Sequence, residues 1–151
     1  LIGGAATSAD EKYIIEQKTK LKAAGCDSRV EWRPNLDFRD KVHFFRDLTV
    51  FSVPATYGEA FGLYVIEAIA SGVPVVEPRH GAFPELIEAT GGGILCEPDD
   101  VGSLADALEG LLLDGGRCDQ LIKTGISNVR TRFSSSRMAE DFEGILCETL
   151  A

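Results

Sequence analysis

Glu59 and Glu67 are two carboxylates with seven residues between them, and they open the most informative stretch of this 151-residue chain. Phe61, Gly62 and Leu63 lie between them, and Ala68-Ile69-Ala70-Ser71-Gly72-Val73-Pro74-Val75-Val76 follows. The stretch reads as a loop, an apolar helix over 61–71, a stop at Gly72 and a strand over 73–76. A helix that starts near Phe61 presents free N–H groups at 61–63, and these donors with the positive end of the helix dipole suit an anion, most often phosphate. Gly62 lets a ligand approach the backbone closely.

Glu67 is the odd residue of that helix. Its neighbours Val65, Ile66, Ala68, Ile69 and Ala70 are apolar, so the helix is expected to be buried nearly all round. A carboxylate there is costly unless it is paired. It follows Phe61 by six residues, about 9 Å along a helix axis, and side chains lean back toward the N-terminus. A diphosphate on the N–H groups would therefore bring an attached ribose beside Glu67, whose carboxylate accepts two hydroxyl hydrogen bonds and fits a cis-diol. Pairing with an arginine or with backbone donors is the structural alternative. The residues alone leave both open.

The elements that position this segment alternate between strand and helix. Leu1-Ile2 before Gly3-Gly4 reads as the end of a strand. Residues 9–24 form a helix with Tyr13, Ile14, Gln17, Leu21 and Ala24 at three- and four-residue steps, closed by Gly25. Residues 29–32 form a short strand broken by Pro34-Asn35. A short helix over 38–46 turns Phe38, Val42 and Phe45 inward. Residues 48–54 form a strand closed by Pro54, and 77–82 a loop. A short helix over 84–89 and a small strand over 94–96 lie either side of Gly91-Gly92-Gly93. Helices over 101–113, 117–132 and 136–149 follow, the first with Val101, Leu104, Leu108 and Leu111 on one face. This alternation predicts an α/β fold with a parallel sheet and helices on both faces.

Composition narrows the partners. At 151 residues the chain has the length of one domain, and 44% hydrophobic with 26% charged residues is ordinary globular composition. With 15 basic and 24 acidic residues the net charge is −9, which argues against a nucleic-acid groove but not against a small anion held by local dipoles. The chain has no apolar run of membrane-spanning length and no signal-peptide pattern. The four cysteines, Cys26, Cys96, Cys118 and Cys147, lack metal-ligand spacing and read as separate reduced thiols of a cytoplasmic protein.

The Glu59-x7-Glu67 pair with Phe61-Gly62 inside it, and the Ala68-x-Ala70-x-Gly72-x-Pro74-Val75-Val76 run after it, resemble the retaining GT-B glycosyltransferases of the group 1 (family 4) type. Nearly the whole chain takes part. Leu1-Ile2-Gly3-Gly4 is similar to the second strand and turn of that family's C-terminal domain, and 30–36 to its third strand and loop. Gly81-Ala82-Phe83-Pro84-Glu85-Leu86-Ile87 is similar to its Gly-x-x-Glu-Ile stretch, and 92–100 to the stretch that ends in Pro-x-Asp. Phe133-Ser134 and the last helix also match.

The resemblance implies a Rossmann-like, nucleotide-sugar donor-binding domain: the C-terminal half of a GT-B fold without its first strand. Glu67 takes the role of binding the donor ribose, and Glu59 faces the transferred sugar as the catalytic residue. Phe61, Gly62 and Leu63 supply the N–H groups for the diphosphate. The ligand is a UDP-, GDP- or ADP-sugar, and no metal is expected. The departing diphosphate assists the acceptor, with catalysis by charge stabilisation on the leaving group. The base would rest at 33–36, where Arg33 and Pro34 depart from the family's usual glycine.

In the family, the first strand and a basic loop precede the position of Leu1, and so does an N-terminal acceptor domain. The resemblance thus predicts that 1–151 is inactive alone and that a central strand is lacking, leaving two unpaired sheet edges. It also places any peripheral membrane association in the acceptor domain. The acceptor would be a glycan, lipid or polysaccharide. A catalytically silent scaffold that binds sugar nucleotide, and a GT-B epimerase or phosphorylase, are the rival readings.

Several flanking residues admit two roles each. Tyr57 packs against the ligand or against the sheet. His80, beside Gly81, touches a donor sugar or is a plain loop histidine. Glu85 is the family's loop glutamate or a first-turn acid of its own helix. Trp32 reads as core and His43 as a surface or packing residue, and the acids at 97–100 cap the next helix.

Overall fold

The computed structural model describes residues 1–150, apart from the side chain of Leu150. The chain forms two compact units, Leu1–Asp47 and Leu48–Ala151.

In the first unit, β1 (Ile2–Gly4) pairs in parallel with β2 (Trp32–Pro34), Ile2 opposite Trp32 and Gly4 opposite Pro34. Between them runs α1 (Glu11–Ala23), and α2 (Phe38–Arg46) follows. Asp37 starts α2 by accepting a hydrogen bond from the Asp40 N–H at 2.8 Å. The bounds of α2 match the sequence expectation, but its inward face is rotated. Phe44 and Phe45 are buried, whereas Phe38, expected inside, is 74% exposed. A ring of Phe44 lies against Gly3, so β1 sets which face of α2 packs.

The strand expected at 29–32 lies two to three residues later. Residues Asp27–Arg29 form a 3-10 turn instead, and Pro34 is the last paired residue rather than the breaker. Pro34 lacks only a donor, and at the end of a strand that costs nothing. Trp32, expected in the core, is only half-buried. It lines an apolar depression of about 500 Å³ with Ile2, Tyr13, Leu21 and Cys26, and the Lys18 ammonium lies 5.3 Å from its ring centre.

In the second unit, β3 (Val75–Pro78) pairs in parallel with β4 (Gly93–Cys96). The segment expected as a strand over 48–54 meets β3 at one bridge, Phe51 opposite Val75. It is held there by Phe51 N–H to Pro74 O at 3.0 Å and Val76 N–H to Phe51 O at 2.9 Å. The helices are α3 (Leu63–Ala70), α4 (Phe83–Thr90), α5 (Val101–Leu113), α6 (Gly115–Arg132) and α7 (Ser135–Leu150). Asp100 caps α5 through Ser103 N–H, and Asp114 caps α6 through Arg117 N–H, each at 2.9 Å. The acid at 100 thus has the capping role expected of it.

Val76, Cys96, Leu111 and Cys118 form a buried cluster with Val50, Ile94, Leu104 and Leu121 around it. Val101, expected on one face of α5 with Leu104, Leu108 and Leu111, is 82% exposed. It is the first residue of that helix, and the core begins a turn later, at Leu104. Ile69 of α3 presses into a notch where a Cβ on Gly125 would lie 2.6 Å from its methyl group, which brings α6 close to α3. The four cysteines are separate thiols, and burial pushes Cys96 and Cys118 up.

The fold is α/β with parallel strands, as expected, but the strands form two separate pairs rather than one continuous sheet. Among the described residues, β1 has one strand partner, β2, and the Phe51 segment has one, β3. Each therefore keeps an unpaired edge. No described helix is long and apolar enough to cross a membrane.

Candidate functional site

The site is built where the chain leaves the Phe51 bridge, loops through 53–62 and enters α3. The helix begins at Leu63, two residues later than the sequence predicts, because Gly62 takes a left-handed conformation with φ 84°. A side chain there would be strained, and its Cβ would lie 3.1 Å from Leu86 and 3.5 Å from Phe83. Glycine at 62 is thus explained by backbone conformation and packing, besides any ligand approach.

Glu59 stands before this turn with its carboxylate folded back onto the backbone. It accepts from the Phe61 N–H at 3.2 Å and from the Tyr64 hydroxyl at 2.7 Å. The Tyr64 hydroxyl first, and then the Phe61 N–H, hold the Glu59 carboxyl below the ordinary glutamate range, with smaller help from the Ala60 and Gly62 N–H groups. Burial and the Glu59 carboxylate push Tyr64 up, so it remains a donor. The Phe61 N–H, which the sequence assigns to an anionic ligand, thus donates to Glu59 in this structure. The first-turn N–H groups of α3, at Leu63 and Tyr64, have no intrahelical acceptor by their position.

Glu67 lies on the second turn of α3, four residues after Leu63 and so on the same face. It is half-buried, while Val65, Ile66, Ala68 and Ile69 are buried. Tyr57, Phe61 and Leu63 are 65%, 49% and 65% exposed. Three large apolar side chains thus stand open to solvent around the two carboxylates, and Tyr57 is not packed into the sheet.

The loop after β3 closes the other side. His80 Nε2 is 2.8 Å from the Ala55 carbonyl oxygen, and its ring meets Phe83 edge-on, so His80 ties two loops together. Gly81 has φ 58°, and a Cβ on it would lie 2.6 Å from the Glu59 nitrogen. Only glycine fits there. The Ala82 N–H donates to the Glu59 carbonyl at 2.9 Å. Glu85 is exposed in the first turn of α4, as a first-turn acid would be.

Two residues of this neighbourhood were missed by sequence reasoning. Tyr64 lies inside the apolar run and gave no signal beyond its hydroxyl. Glu77 was placed in a loop, but β3 runs on to Pro78, and Glu77 is fully buried in it. Both its oxygens lie 3.3 Å from the Val53 nitrogen, whose N–H they accept. Burial pushes the Glu77 carboxyl up to about 8, against the Val53 hydrogen bond and with help from the charge of Glu59. An acidic residue between a run of valines and a proline was the available signal, since strands buried on both faces read as continuous runs. Ser52 Oγ is also buried, with no hydrogen-bond partner among the described residues. No group of three or more metal-ligating side chains converges among the described residues.

Known proteins resemble this chain over most of its length. The family model described as glycosyl transferases group 1 matches residues 2–128. A lipopolysaccharide core biosynthesis mannosyltransferase of Rhizobium meliloti is 29% identical over 143 residues, which are 92% of this chain and 39% of the relative. The C-terminal domain of a glycosyl transferase group 1 family protein from Francisella tularensis superposes with a TM-score of 0.76 at 29% identity, covering 86% of this chain and 67% of that one. An Anabaena protein, HepE, crystallised with UDP and glucose, superposes with a TM-score of 0.87 at 21% identity, covering 97% of this chain and 39% of that one. The chain thus spans about two fifths of the length of that curated relative.

Proposed function

The chain belongs to the group 1 glycosyl transferases and has the GT-B fold, and on that premise we propose that it is the donor-binding half of such an enzyme, taking a nucleotide-diphosphate sugar. The observation that carries this reading is the order of groups from the loop into α3. A half-exposed, ionised Glu59 comes first, then the first-turn N–H groups of the helix, then Glu67 one turn further in on the same face as Leu63. That is the order of sugar, diphosphate and ribose in a donor. The HepE structure, crystallised with UDP and glucose, supports this class of ligand.

In this reading Glu67 accepts the ribose hydroxyls, and Leu63 with Gly62 brings backbone donors to the diphosphate. When the diphosphate arrives, the Phe61 N–H passes from Glu59 to the ligand, and Glu59 stays on the Tyr64 hydroxyl facing the sugar. Tyr57, His80, Gly81 and Glu85 form the rim. Fixed backbone dipoles stabilise charge as it develops on the leaving diphosphate, which in turn assists the acceptor, so the configuration of the sugar is retained and no metal is required. The acceptor is bound by an N-terminal domain, and 1–151 alone does not transfer sugar.

Calorimetric titration of UDP, GDP and ADP into the full-length protein tests this. One nucleotide binds, and Glu67→Ala weakens it roughly 10- to 100-fold, the loss expected for hydrogen bonds to a charged group. Absence of binding by all three would overturn the donor reading.

A further inference from the structure

The loop that carries Glu59 does not hold itself in place. Four contacts attach residues 53–59 to the end of β3 and the loop behind it. The Val53 N–H donates to the buried Glu77 carboxyl. His80 Nε2 meets the Ala55 carbonyl at 2.8 Å. The Ala82 N–H donates to the Glu59 carbonyl at 2.9 Å, and the Gly81 backbone abuts Glu59. Glu77 is the innermost of these, and the one charged side chain among the described residues that is fully buried.

A buried carboxyl answered by a single backbone N–H is costly as a charge and inexpensive as an acid. Among the described residues, the titratable groups shown to act on it or to be acted on by it are not cations. They are Glu59 from the loop, Tyr64 from α3 and Cys96 from β4, and Arg79, two residues on, turns instead to Glu97 at 3.7 Å.

We propose that Glu77 is a positioning residue for the donor site: from inside the fold it anchors Val53, and through the 53–59 segment it sets where Glu59 stands. The proposal rests on the donor-site reading only for what Glu59 does, not for what Glu77 holds. Because the carboxyl is pushed up to about 8, it is neutral at neutral pH. As pH rises toward that value the carboxyl ionises beside Glu59, and the cost of this buried negative charge outweighs the stronger hydrogen bond that a carboxylate accepts from the Val53 N–H, so the segment opens more easily.

Hydrogen exchange of the 51–62 backbone in the full-length protein, measured without ligand from pH 6 to pH 9 and corrected for intrinsic rates, tests the anchor. Protection in the wild type falls at least about tenfold across the titration of Glu77, as local opening becomes easier. Glu77→Gln keeps the neutral-pH protection up to pH 9, and Glu77→Leu lowers it throughout. UDP affinity, followed over the same range, falls with the same midpoint in the wild type and not in Glu77→Gln. Protection that is flat from pH 6 to pH 9 in the wild type, or that falls equally in Glu77→Gln, overturns the proposal. If the exchange responds as described while UDP, GDP and ADP all fail to bind, the anchor stands and the donor reading falls.

Discussion

Glu59 and Glu77 stand on two segments that are tied together, and their surroundings drive them in opposite directions. Glu59 is at the surface, met by a phenol and by backbone N–H groups that favour the charged form. Glu77 is inside, where burial and then the charge of Glu59 favour the neutral form against the single N–H of Val53. The pair shows how one fold keeps two carboxyl groups in different protonation states at the same pH. One is available to a ligand, and the other is available only to the chain.

Three changes break or sharpen this contrast. The largest effect belongs to Glu59→Ala, which removes the surface carboxylate. It lowers kcat for sugar transfer by roughly 100-fold or more while nucleotide affinity stays within a few-fold, and steady-state kinetics with a titration of the nucleotide separate the two. Next is Glu77→Gln, which removes the interior group that can ionise. The Glu77 carboxyl is raised from an ordinary 4.5 to about 8. The stability of its neutral form is therefore complete below about pH 4.5 and is lost as pH rises to about 8.

Glutamine does not ionise. The variant therefore gains on the wild type from about pH 5 upward and levels off above pH 8, by an amount of order a few kcal/mol. Urea midpoints at pH 5, 7 and 9 read this out, and a constant offset at all three would contradict it. Tyr64→Phe is the smallest. It takes the 2.7 Å hydrogen bond from Glu59, so the Glu59 carboxyl rises toward its ordinary value. The acid limb of the pH–rate profile moves to higher pH, and kcat at neutral pH falls only a few-fold.

Much of this was legible beforehand because it is local. The bounds of α2 and α5 follow from their caps and spacing, Asp37 before Phe38 and Asp100 before Val101. The segment from Glu59 through Gly72 to Val76 announces loop, helix and strand by composition alone. Strand positions were less legible. A three-residue strand such as β2 is defined by its partner, and Pro34 pairs because Gly4 lies opposite. Facing was least legible. Phe38 is as apolar as Phe45, yet one is 74% exposed and the other 4%. The apolar stripe of α7, Met138, Phe142, Ile145 and Leu146, is likewise 44–71% exposed. Periodicity tells which residues share a face, not whether anything covers it.

The amino-acid sequence by itself determined the alternation of strands and helices, the two glutamates with seven residues between them and the glycines at the turns, since these depend on neighbours along the chain. It also carried the resemblance that the family match bears out. Only the tertiary structure decided that Phe61 N–H belongs to Glu59, that Gly81 must be glycine because a backbone passes 2.6 Å from its missing Cβ, and that Glu77 is an interior acid. Those facts depend on segments more than fifteen residues apart being brought within hydrogen-bonding distance, as Val53 and Glu77 are, or on a side chain folding back on its own turn. The environment of a carboxyl group, and hence its charge, is a property of that meeting and not of the residue.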